Sequence, residues 1–175
     1  MTDWISLLPP PLAPGLTDED LAGIESRYGF RFAADHRAML SAALPVGPRF
    51  PDWRRDSPDL RRSLAAPAAG VLFDVEHNAF WYDGWGVRPV DPAAALAVAA
   101  DRLRSVPPLV PVYGHRYLPG TGGPAGHPVL SVHQTDIIVY GADLPRYLHS
   151  EFRVPVPDPV PDAACTVGFW SDLVA

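Results

Sequence analysis

LVPVYGHRYLP (residues 109–119), HPVLSVHQ (127–134) and DIIVYG (136–141) are the stretches on which the fold turns. Each is short, rich in Val, Leu, Ile and Tyr, and bounded by turn-forming residues, which is the pattern of β-strands. A glycine-rich turn at 120–126 separates the first two, and the last two are almost contiguous, so an interrupted meander is expected. Upstream, GVLFDVE (70–76) alternates Val71, Phe73 and Val75 against Leu72, Asp74 and Glu76. It reads as a strand with one apolar face, and FWYDGWG (80–86) as a second, aromatic strand with its turn, together a hairpin.

Helices precede and punctuate these strands. Thr17 offers an N-cap hydroxyl and Asp18, Glu19 and Asp20 place negative charge at the helix N-terminus. Leu21, Ile24 and Tyr28 recur at helical spacing and Gly29 is a left-handed stop, which predicts a helix over 17–28. A second helix is expected at about 34–44 on the stripe His36, Met39, Leu40, Ala43 and Leu44, ended by Pro45 and Gly47. DPAAALAVAADRLRS (91–105) starts on an Asp91 cap with Pro92 in its first turn, and ADLPRYLHSEF (142–152) reads as a closing helix. The proline-broken stretch 45–69 reads as an irregular connection with one helical turn, Arg54-Arg55 and Arg61-Arg62 forming a solvated face. Helices first and a meander afterwards predict a single α+β domain, its N-terminal helices and a middle helix packed on a curved, mixed, mostly antiparallel sheet. That domain spans 16–152, with a Pro-rich arm at 1–15 whose Trp4 and Leu7 pack back on it. The tail at 153–175 holds a polyproline-type linker, PVPDPVPD (155–162), and a terminal segment that docks through Phe169 and Trp170.

Composition sets further bounds. A chain of 175 residues that is 47% hydrophobic and 19% charged can bury roughly 70% of its unfolded surface in one core. All fourteen basic residues are Arg, so lysine Schiff bases, phosphate-loop lysines and Ser-Lys dyads are excluded. The single cysteine, Cys165, allows no internal disulfide and no CxxC zinc or redox pair. The opening MTDWISLLPPPLAPG has no basic region and only a brief apolar run before prolines, which reads as neither signal peptide nor membrane span, and a cytoplasmic location is expected. A net charge of −6 disfavours nucleic acid and anionic membrane and favours a basic protein partner.

Three constellations invite a chemical reading. GTGGPA (120–125) matches the dinucleotide fingerprint G-x-G-x-x-A, but Pro124 and Pro128 sit where a helix should start and a strand follows, so a plain turn is expected. SVHQTD places Ser131, His133 and Asp136 close together, yet Ser131 and His133 share a strand face roughly 6.5–7 Å apart, and no nucleophile elbow is signalled. His115, His127, His133 and His149 crowd the last third of the chain near Asp136 and Glu151, although no HxH, HxxxH or HExxH pairing occurs. Neither metal nor cofactor is expected. The strongest departure from randomness is aromatic: Phe80, Trp81, Tyr82 and Trp85 in one segment, with Tyr113, His115, Arg116 and Tyr117 in a later one.

LTDEDLAGIESRYGFRFAADHRAMLSAALPVG (16–47) resembles the N-terminal signature of the SUKH superfamily, named after a yeast cell-wall-assembly and glucan-synthesis regulator. In that signature an acid-capped helix carries a glutamate (Glu25), then a Gly, then a helix of D-x-R type (Asp35, Arg37). GVLFDVEHNAFWYDGWGVRP, PVYGHRYLP and HPVLSVHQTDIIVYGADLPRYLHSEF resemble a bacterial branch of the same superfamily. Ala33-Ala34 stand in place of the usual Leu-Pro entry, and Pro45-Val46-Gly47 in place of an Asn-Gly stop. The resemblance implies helices on a curved mixed sheet and, for bacterial members, an immunity protein that binds a cognate toxin, often a nuclease domain, and covers its active site.

The readings divide accordingly. In the first, the chain is a non-enzymatic immunity protein whose Asp74, Glu76 and Asp136 meet Arg or Lys of a basic toxin while Trp81, Trp85 or Tyr117 fill a pocket, with His115 and Arg116 on the same surface. In the second it is a housekeeping regulatory or scaffold module of the same fold. In the third it is a metal-dependent hydrolase using His115, His133 and Asp136.

Overall fold

Alternation along the meander dictates the layers. In the computed structural model, which describes residues 2–153 and 167–175, strands β3 (Leu109–Tyr113), β4 (Arg116–Pro119), β5 (Val129–His133) and β6 (Asp136–Gly141) pair antiparallel in chain order. Val110, Val112, Leu118 and Val129 point to one face and Leu109, Tyr117, Leu130, Val132 and Ile137 to the other, and both sets are buried. A sheet apolar on both faces needs cover on both. Helices α2 (Asp18–Tyr28), α3 (Ala34–Ala42) and α6 (Leu144–Phe152) supply Leu21, Ile24, Met39, Leu40, Leu144, Tyr147 and Leu148 to the first face. Helices α4 (Pro58–His77), α5 (Pro92–Leu103) and α7 (Gly168–Asp172) supply Val71, Val75, Ala99, Leu103, Phe169 and Trp170 to the second. The protein is thus a single α+β domain, and among the described residues every pair of strands in its sheets is antiparallel.

The N-terminal residues join the first layer. Leu8 is buried after the short helix α1 (Trp4–Leu7), and β1 (Leu12–Pro14) pairs antiparallel with β2 (Ala43–Pro45). At the other end Trp170 donates its indole N–H to Pro107 O at 2.6 Å, and the Ala175 N–H reaches Ile137 O on the outer edge of β6. The proline-rich stretch 155–162 and Cys165 lie outside the described residues.

The hairpin expected over 70–86 is absent. Residues 58–77 form one helix of 20 residues, started by Pro58 behind a Ser57 cap whose hydroxyl accepts from the Leu60 N–H. Its buried stripe Leu60, Pro67, Val71 and Val75 has helical spacing, and the apparent alternation of Val71, Phe73 and Val75 is a local sampling of it. Pro67 and Gly70 disguised the helix. Gly70 is required because α4 crosses the β5–β6 turn so closely that a Cβ there would lie 2.8 Å from Gln134 Cα. FWYDGWG is no strand either: it folds around a short 3-10 turn at Asp83–Trp85, and the Trp85 ring packs against Trp81, Tyr82 and Phe169.

Buried carboxylates fasten the N-terminal helices. The buried Glu25 carboxylate accepts from the Phe32 N–H at 3.0 Å and pairs with Arg31 and, at 3.4 Å, Arg37. Asp35, also buried, accepts from its neighbour His36 N–H and from the Gly126 N–H at 3.0 Å. The Gly120–Gly126 loop is further stitched to residues 31–34 by Arg31 N–H to Gly120 O, Gly122 N–H to Arg31 O and Ala34 N–H to Gly123 O. Gly122, at φ +73°, adopts a backbone that L side chains rarely take. The fingerprint-like GTGGPA is therefore a fastening loop running into a strand.

His36 is the one fully buried imidazole, its ring edge-on to Phe32 and Trp53 and both nitrogens without hydrogen-bond partners. Burial pushes its pKa down to about 3, so the folded protein keeps it neutral while the unfolded chain takes up a proton near pH 6.5. Its contribution to stability is whole above pH 6.5 and falls as pH drops from there toward 3, by roughly 1 kcal/mol per pH unit. Urea denaturation at pH 7, 6 and 5 should show that slope in the native protein and its loss in His36→Leu.

Candidate partner-binding surface

The eight residues expected to form one partner surface are dispersed. Asp74, placed on a strand by its alternation, lies instead on α4 and is 4% exposed. Its Oδ2 accepts from the Thr135 N–H at 2.9 Å and hydroxyl at 2.6 Å, and its Oδ1 from Asn78 at 2.6 Å. Burial pushes this carboxyl up, but the hydrogen bonds from Thr135 and Asn78 outweigh it and hold the pKa below its ordinary value. Asp74 is therefore the clasp between α4 and the β5–β6 turn and cannot meet a toxin's arginine. Trp85 and Tyr117 are buried in the second-face core and cannot fill a partner's pocket. Glu76 is exposed on α4, and Trp81 is half-buried with its indole N–H on Gly86 O; both belong to the second layer.

Tyr117 has a specific structural duty. Pro67 has no N–H, so the Ser63 carbonyl one turn back lacks its helical donor. The Tyr117 hydroxyl donates to that carbonyl at 3.0 Å, joining β4 to α4, and burial pushes its pKa up to about 12. The proline that obscured the helix and the tyrosine taken for a surface anchor are two halves of one contact.

His115, Arg116 and Asp136 do converge on one end of the sheet. His115 sits in the β3–β4 turn and Asp136 opens β6 opposite His133. Register aligns Arg116 on β4 with Ser131 on β5 and Ile138 on β6, on the face that carries α6 further along. The helices stop short of this row. Ile138 and Tyr140 are 41% and 44% exposed, whereas Leu118 and Val129 on the same face are fully covered. Arg116 is only 8% exposed, because its guanidinium lies 3.6 Å above the Tyr140 ring centroid and donates through Nη1 to Ser131 Oγ at 3.0 Å. At the neighbouring end of β3 Arg49 lies 4.4 Å over Tyr113. Burial lowers the His115 pKa, and the positive charges of Arg116, Arg49 and His133 lower it further against the opposing pull of Glu151. Aromatic-backed cations thus line an open patch of sheet in a protein whose overall charge is negative.

Ile138 and Tyr140 were missed by sequence reasoning. The signal available was that β6 alternates Ile137 and Val139 against Asp136, Ile138 and Tyr140, and only one of those rows is needed by a core.

Two clefts do not include Arg116. One of about 470 Å³ is bounded by Arg49, Phe50, Arg55, Ser57, Ser63 and Gly114, and another of about 460 Å³ lies between α3 and the start of α6 beside Asp35 and Asp143. Among the described residues no three His, Cys, Asp or Glu side chains converge as a metal site requires, which leaves His115, His133 and Asp136 without a complete ligand set. No described helix is long and apolar enough to cross a membrane. No family model, curated protein or solved structure matches the chain.

If Tyr117 serves the carbonyl that Pro67 orphans, Tyr117→Phe should cost about 1 kcal/mol in the native background. It should cost little in Pro67→Ala, where the substituted residue's own N–H serves Ser63. A double-mutant cycle by urea denaturation measures the difference; equal costs in both backgrounds would refute the pairing.

Proposed function

We propose that the protein is a partner-binding domain and acts as an immunity protein, as its resemblance to the SUKH superfamily implies, docking a basic toxin domain on the open end of its sheet. The observation that carries this reading is the exposed pair Ile138 and Tyr140, with the buried Arg116 beneath Tyr140 and His115, His133 and Asp136 at the same end, on a face otherwise covered by helices. Tyr and Arg are the side chains most often found as anchors of protein interfaces, and a polar rim around an apolar centre is the usual anatomy of such a surface. The net charge of −6 favours encounter with a basic partner before these local contacts form.

The test is affinity capture from the protein's own source with stepped-salt elution, followed by binding measurements on the captured partner. A basic protein bound near stoichiometrically is expected, with Ile138→Asp and Tyr140→Ala each weakening it by 30-fold or more, and Asp101→Ala, on the exposed side of α5, leaving it unchanged. Native affinity in both sheet-face variants would place the partner elsewhere.

A further inference from the structure

We infer that Arg116 is the receptor for a carboxylate side chain of the bound partner, an inference that rests on the partner-binding reading and adds to it the chemistry of the central contact. Among the described residues no carboxylate lies within 4.0 Å of this guanidinium, and its one hydrogen bond is to a neutral hydroxyl. Its Nε is buried without a partner. A cation more than nine-tenths out of water is ordinarily paired, because desolvation removes the hydration that stabilises it. Here the aromatic face of Tyr140 offsets part of that loss and fixes the plane of the fork, so its remaining donors are preorganised before anything binds.

A second unpartnered group lies beside the first. The Tyr147 hydroxyl is buried with no hydrogen-bond partner, its ring 6.1 Å from that of Tyr140, and the Arg116 charge opposes the rise that burial and Glu151 impose on its pKa. Arg49, His115 and His133 are the neighbouring cationic or protonatable groups, and Glu151 is the acid that faces them from α6. Two buried donors without partners, each near Tyr140 and with Arg49 and His133 close by, make this end of the sheet a setting that favours an anion.

The shape selects which anion. Arg116 lines neither of the two clefts described above. Ile138 and Tyr140 stand exposed beside it, so a planar two-oxygen acceptor that pairs with the guanidinium is one carried by a chain that also covers these apolar neighbours. An Asp or Glu side chain meets that description, and a partner that is basic overall can present one acid at its docking centre.

The assignment is tested on the protein alone by following the Arg116 side-chain nitrogen signals by NMR during titration with sodium acetate, with sodium chloride at matched ionic strength and sodium phosphate as comparisons. The expected result is a saturable acetate shift centred on Arg116, Tyr140 and Tyr147 and absent with chloride; read at the Tyr140 and Tyr147 signals, it is at least threefold weaker in Arg116→Lys, which keeps the charge and loses the fork. An Arg116 signal that moves no more with acetate than with chloride would overturn the assignment, and tighter saturation by phosphate would reassign the spot to a free oxyanion. Because the titration uses the native protein, misfolding of a variant does not blunt it. Loss of partner capture in Ile138→Asp together with an acetate-blind Arg116 would retain the docking surface and discard the carboxylate contact; acetate binding with an unimpaired Ile138→Asp would do the reverse.

Discussion

A four-stranded sheet whose central rows are apolar on both sides cannot be left half-covered, and the rest of the molecule is arranged to meet that demand. Val110, Val112, Leu118 and Val129 require α2, α3 and α6; Leu109, Tyr117, Leu130, Val132 and Ile137 require α4, α5 and α7. Burial of this kind contributes most of the driving force for folding, and the pattern it imposes on the strands is non-directional at the level of single contacts. Placement is sharpened by polar contacts: Asp74 to the β5–β6 turn, Tyr117 to the carbonyl that Pro67 orphans and Asp35 to Gly126 reach between helix and sheet, while Glu25 fixes the α2–α3 connection within one layer. Each is a buried acceptor met by a specific donor, so each marks one relative placement of its two elements and penalises the neighbouring ones.

The same reasoning separates residues that serve the fold from those left over. Once the clasps and the core are assigned, Asp74, Trp85 and Tyr117 are spoken for, and with them three of the eight residues of the interface that the sequence alone would assemble. What no fold requirement explains is the end of the sheet beyond α6, where Ile138 and Tyr140 stand open and Arg116 is buried without an acidic partner. A surface that keeps apolar and cationic groups in this state is organised for something outside the chain.

Much of the architecture was legible in the residues. The Thr17 capping box, the Gly29 stop at φ +71° and the Asp91-Pro92 start mark their helices by local chemistry, and local chemistry is what a sequence records. The meander was legible for the same reason, because alternation and turn residues are short-range, except that 109–119, read as one β piece, folds back on itself as β3 and β4 about Gly114-His115. Helix α4 was not, because its two disguising residues are explained only by partners far along the chain: Gly70 by the approach of Gln134, and Pro67 by the hydroxyl of Tyr117. The acidic Asp74 was misplaced by the same error of period, since residues two apart share a face in a strand and separate in a helix. In the candidate site, Arg116 and Asp136 were legible as strand residues, His115 was read on a strand where it lies in the β3–β4 turn, and the exposure of Ile138 and Tyr140 depends on where α6 ends over the sheet, a fact of tertiary packing.

The central claim is that the uncovered end of the sheet is where a partner sits. It is tested most directly by placing a photocrosslinking amino acid at position 138 in the protein as made in its own source, with position 101 on the exposed side of α5 as the reference. The expected result is one discrete crosslinked protein at 138 and none at 101, with the joined peptide of the partner carrying Asp or Glu close to the crosslink. Equal crosslinking at both positions, or none at 138 while a partner crosslinks at 101, would contradict the account.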